Sequence, residues 1–154
     1  MRVDALGNII DRNDRVDQID LGTGGLMMPL PEAQVATGET WSVKRDVPVR
    51  QEDGSFKAIT TRQRYRLGRV ESGVATISMK TQILTPSITP RVRSQLIQKL
   101  SNGEVRFDID AGRVLSRRLE WDESVVGFNG PKSNMSYLGR ITESIVPADR
   151  TAKK

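Results

Sequence analysis

Apolar and polar residues alternate along most of this chain, and the period of two predicts β-strands. In "TWSVKRDVPVR", Trp41, Val43, Val47 and Val49 form an apolar row. Arg45 interrupts that row, and Pro48 points to an edge strand. The Asp53-Gly54 pair of "QEDGS" signals a tight turn. "FKAITTRQRYRLGRV" then reads as a long strand with Tyr65 and Leu67 on one face and a bulge at Gly68. After a turn at Gly73, "VATISMKTQIL" places Ala75, Ile77, Met79 and Ile83 on one face. Residues 41–84 are thus predicted to form an antiparallel meander.

The period changes in "TPRVRSQLIQKLSNG". Thr89 is the expected N-cap, Pro90 takes the first helical position, and Gly103 after Asn102 is the expected stop. Val92, Leu96, Ile97 and Leu100 form the apolar stripe, with Arg91, Arg93, Gln95, Gln98 and Lys99 mostly off it. A helix of about three turns does not persist alone, so it must lie across a sheet. Alternation returns with Val105, Phe107 and Ile109, continues through Leu115, Leu119 and Trp121, and ends with Met135, Tyr137, Ile141 and Ile145. "GFNGPKSN" and most of residues 13–40 read as loop, and "PADRTAKK" as a frayed tail.

The expected fold is mainly β: a curved antiparallel sheet of about seven to nine strands with one helix, 90–101, on its concave face. An α+β arrangement is the alternative. The expected domain spans residues 1–146, followed by a flexible tail at 147–154.

Composition removes several kinds of chemistry. Cysteine and histidine are both absent, so there is no thiolate metal site, disulfide, cysteine nucleophile or Ser-His-Asp triad. The sequence calls for no cofactor or metal, and a non-enzymatic role is expected. The formal charge of +5 favours anionic partners such as nucleic acid, acidic glycan or lipid headgroups. No apolar run approaches the roughly 18 residues of a membrane span, and "MRVDALGNII" does not open as a signal peptide.

"EVRFDIDAGRVLSRRLEWD" contains Asp108, Asp110 and Gly112, which together suggest a calcium loop. Such a loop needs oxygen ligands at its first, third and fifth positions and a glutamate at the twelfth. Here Gly112 occupies the fifth and Leu119 the twelfth, so the stretch reads as a hairpin. "RVDALGNII" at 2–10 resembles "RFDIDAGRVL" at 106–115, as a repeated hairpin unit would.

Arg62, Arg64 and Arg66 share one strand face, and Lys80, Thr76 and Ser78 lie on the corresponding face of the next strand. Arg113, Arg117 and Arg118 are candidates to extend this surface. Such a row can bind a polyanion electrostatically, although it lacks the interleaved aromatics of a stacking platform. An ordinary solvated basic face accounts for the same pattern. Asp108 and Asp110 could be read as an acid–base pair, but they have no companion base. "LGTGGLMMP" lacks the spacing of a phosphate loop, and Trp41 reads as a core anchor. Met27, Met28 and Met79 are candidates to line an apolar cavity, because methionine adapts to irregular ligands, although core filling is the favoured use.

Three stretches, "LMMPLPEAQVATGETWSV", "RYRLGRVESGVATISM" and "GEVRFDIDAGRVLSRRLEW", together resemble an uncharacterised bacterial domain family common in planctomycetes. Its members often carry an export signal and a further N-terminal segment. The resemblance implies a cell-envelope, extracytoplasmic setting and a missing upstream half, but no catalytic residues. An incomplete sheet would leave an open edge at residues 2–12, where a homodimer could form. The leading expectation is a structural or binding domain, with an apolar ligand held under the helix. The alternative is a polyanion-binding module using Arg62, Arg64, Arg66 and Lys80.

Overall fold

The structure, a computed structural model, describes residues 2–3, 9–11 and 28–146. Its centre is one open antiparallel sheet of six strands in simple meander order. These are β3 (Thr40–Arg50), β4 (Phe56–Glu71), β5 (Val74–Ile83), β6 (Asn102–Asp108), β7 (Arg113–Val126) and β8 (Asn134–Ser144). Two short strands, β1 (Arg2–Val3) and β2 (Ile9–Asp11), pair with each other in a separate antiparallel sheet. The main sheet therefore has fewer strands than the seven to nine expected. The N-terminal hairpin does not join it, and β4 and β7 are long single strands of 16 and 14 residues.

Turn chemistry fixes the register. Ser72 and Gly73 both have positive φ, 49° and 76°, so two residues suffice to join β4 to β5. Gly54, at φ 84°, turns β3 into β4, and Asp53 braces that turn by accepting bonds from both the backbone N–H and the hydroxyl of Ser55. The expected bulge is present, with the β4–β5 register shifting between Leu67 and Arg69. The hairpin at 108–113 also forms: Asp108 pairs with Arg113 across it and accepts the Ala111 N–H at 2.9 Å. Ile109 lies in that turn and is exposed rather than continuing the apolar row of β6.

Helix α1 (Pro90–Leu96) starts as expected, with the Thr89 hydroxyl accepting the Val92 N–H. It ends sooner than residue 101. A single 3-10 turn covers Ile97–Lys99, and β6 begins at Asn102. Gly103 is thus a strand residue rather than a helix stop. A methyl group on it would lie 2.3 Å from the Arg118 carbonyl oxygen, so close packing of β6 on β7 requires glycine here.

One face of the sheet carries the core. Tyr65, Leu67, Ala75, Ile77, Met79, Val105, Val114, Leu119 and Trp121 are buried together, with Met28 against them. A second cluster joins Val49 and Ile59 to Leu96 of α1. The helix region also bonds to strands that are not neighbours. Gln95 bonds the backbone N–H and carbonyl of Arg50 on β3, each at 2.8 Å. Arg93 reaches Glu123 of β7 at 3.0 Å, and the Trp121 indole N–H donates to the Gln98 carbonyl. Among the described residues, no helix is long and apolar enough to cross a membrane.

Candidate polar trough on the open sheet face

Cross-strand register places the basic residues. One row of the polar face runs Ser42, Arg64, Lys80, Asn102, Glu120, Arg140. The next runs Thr40, Arg66, Ser78, Glu104, Arg118, Thr142. Between β4 and β7, the intervening strands carry the short Ser78 and Asn102 on one diagonal and the longer Lys80 and Glu104 on the other. The result is a trough of about 580 Å³ lined by Arg64, Arg66, Lys80, Glu104, Arg118 and Glu120, among others. At a strand spacing of about 4.8 Å, β4 and β7 lie about 14 Å apart along the sheet.

The trough brings together three of the four candidate cations. Arg64, Arg66 and Lys80 line it; Arg62 does not. Arg62 instead donates to Gln82 at 2.9 Å, and its Nε is buried with no hydrogen-bond partner among the described residues. Of the three further arginines, Arg118 alone lines the trough. Arg113 sits at the hairpin opposite Asp108. Arg117 belongs to the opposite face, where it pairs with Glu143 and is only 12% exposed. Arg113 misses the trough because it starts β7 at the hairpin end, beyond the β6–β7 register shift, and strict alternation turns Arg117 inward.

The electrostatics favour an anion. Glu120 pairs with Arg140 at 3.0 Å, on the side away from Lys80 and Arg64. Among the described residues, no carboxylate lies within 4.0 Å of the cationic nitrogens of Arg64, Lys80 or Arg118. Arg66 is steadied by the Gly38 carbonyl, 3.2 Å from its Nε. Thr40, Ser78 and Asn102 add neutral hydrogen-bonding groups, and among the described residues no aromatic side chain lines the trough.

The remaining candidates lie elsewhere. Met28 and Met79 are packed into the main core cluster, whereas Met27 lies outside the described residues. Trp41 is half-buried, stacks on Tyr65 with ring centroids 5.4 Å apart, and donates its indole N–H to the Pro29 carbonyl. Asp110 sits beside Gly73 at the end of the sheet, away from the trough. The glycine-rich stretch before Met28 and the loop of the N-terminal hairpin also lie outside the described residues. Glu104 and Glu120 were not singled out from sequence; pairing three strands in register is what brings them beside the cations. No protein-family model matches the chain, and neither does any curated protein or solved structure.

Proposed function

We propose that this protein is a non-enzymatic binding domain whose polar sheet face holds an acidic polysaccharide. One observation carries the reading: Arg64, Lys80 and Arg118 line one trough, and among the described residues no carboxylate is paired to any of them. Unpaired cations converging on a concave surface attract polyanions and release counterions when they bind. Thr40, Ser78 and Asn102, with Glu104 between Ser78 and Arg118, suit the hydroxyl groups of a sugar chain. Single-stranded nucleic acid is less well served, because base stacking needs aromatic platforms and none lines the trough among the described residues. The resemblance to exported proteins supports an extracytoplasmic setting, where acidic glycans are a natural partner.

The sheet is read as curved around its core face, with α1 on the concave side. A seven-residue helix is about 10 Å long, while β3 and β7 would stand about 19 Å apart in a flat sheet. Contacts from the α1 region to both strands support curvature. An apolar ligand under the helix is the weaker reading. Leu96 and Ile59 are fully buried in one cluster, so a guest there would have to displace packed side chains.

Retention on immobilised heparin tests the proposal. The wild type should elute at elevated salt, and Arg64→Ala/Lys80→Ala/Arg118→Ala should elute early, with the salt slope lowered by about one per lost contact. Arg113→Ala, outside the trough, should elute with the wild type. Equal retention of the triple variant would overturn the proposal. Preferential displacement by single-stranded nucleic acid over heparin fragments would reassign the ligand.

A further inference from the structure

β8 is an edge of the six-stranded sheet, and its charges do not guard it. Edge strands are normally protected by proline or by outward-facing charge. The opposite edge, β3, follows that rule with Pro48, Lys44, Arg45 and Asp46. β8 contains no proline, and both of its charged side chains are drawn back onto β7. Arg140 pairs with Glu120, and Glu143 with Arg117. What remains is an 11-residue strand with Leu138 82% exposed and Met135, Tyr137 and Ile141 half-buried along the rim of the core.

We propose that a second copy of this chain pairs antiparallel with β8, about a two-fold axis near Gly139. The strand is complementary to itself in that register. Ile141 falls opposite Tyr137 of the second copy, Thr142 opposite Ser136, and Glu143 opposite Met135. The aliphatic stem of Arg140 covers Leu138. Residues of like parity meet, so the two core faces stay on one side of a continuous sheet. No like charges oppose each other, and the open backbone groups of the edge gain partners. Gly139 at the axis adds no side chain to the crossing point. The pairing is independent of the trough, since it uses the strand edge rather than the polar face.

Sedimentation equilibrium tests the pairing. The wild type should give twice the 17.2 kDa of one chain. Leu138→Lys sets a cation opposite Arg140 of the second copy and should halve that mass. A wild type that stays monomeric up to millimolar concentration overturns the proposal, as does a dimer that Leu138→Lys leaves intact. Hydrogen exchange on the wild type gives a second readout that needs no variant. Protection of amides 135–143 should rise with concentration, and protection independent of concentration would also overturn it.

Discussion

The Arg117 guanidinium grips Glu143 across β7 and β8, with Nε at 3.1 Å and Nη2 at 2.5 Å from the same carboxylate oxygen. The two residues are direct register partners on the core face, with side chains only 12% and 20% exposed. Two charges held this far from water stabilise the sheet only while they remain together, because each is costly to strand without the other. The pair also frees β8 to act as an edge, by holding one of its two charges inward.

Breaking this pair should therefore cost more than its modest net contribution suggests. Arg117→Ala is expected to lower stability by about 2–4 kcal/mol, somewhat under the roughly 3–5 kcal/mol for a fully buried pair because both side chains keep some contact with water. Arg117→Met with Glu143→Leu should recover most of that loss. Urea denaturation of the single and double variants checks both expectations, and a loss below 1 kcal/mol for Arg117→Ala (about the value of an exposed pair) would contradict them.

Two glycines should respond unequally to the same substitution. Gly103→Ala drives a methyl group onto the Arg118 backbone and within 3.0 Å of Leu119 Cδ2, so β6 must shift away from β7. A loss of about 2–3 kcal/mol is expected, as for overpacking of a rigid core. Gly112 has open space around it but φ of 63°, so Gly112→Ala should cost only about 1 kcal/mol of backbone strain. Thermal or chemical unfolding of the two variants measures the contrast.

Leu96 ties α1 to the sheet. It is fully buried with Val49 and Ile59, and the helix is too short to persist without that contact. Leu96→Ala should destabilise by about 3–5 kcal/mol, at the upper end for a side chain whose site cannot collapse. Hydrogen exchange should show the amides of 92–100 losing protection before those of β4 and β5.

Tyr65 gives a test in alkali. Its burial raises the hydroxyl pKa above the ordinary 10.0, against the opposing pull of the Arg45 and Arg117 cations. The folded state therefore holds this proton more tightly than the unfolded chain does. The stabilisation is fully present below pH 10 and is lost as pH climbs through the raised folded value. Tyr65→Phe should flatten this part of the alkaline decline, while at neutral pH it forfeits only a 3.3 Å bond to Gln63. Urea midpoints of both proteins from neutral pH to about two units above the tyrosine value compare the slopes.

Much of the fold was legible in the alternation itself. The strand residues of 41–84, the bulge at Gly68, the turns at Gly54 and Gly73, the Thr89 cap and the hairpin at Gly112 all follow from local rules of φ, register and hydrogen bonding. The helix end was misplaced because a glycine after an amphipathic run reads as a stop, whereas Gly103 is demanded by a backbone approach between distant strands. The basic face was legible on β4 and β5, where Arg64 and Lys80 are partners across a two-residue turn.

What the sequence could not supply was the pairing across longer gaps. Alternation alone puts Arg117 and Arg118 on opposite faces, but Arg118 joins the trough because β7 docks on β6, and Arg117 meets Glu143 because β8 docks on β7. Arg62 looks equivalent to Arg64 along the chain, yet Gln82 of β5 takes its guanidinium. Periodicity along a strand is a local property of the backbone, so the chain alone determined which residues face oil and which face water. Which charges meet is a property of strands brought together from far apart, and that only the assembled sheet decided.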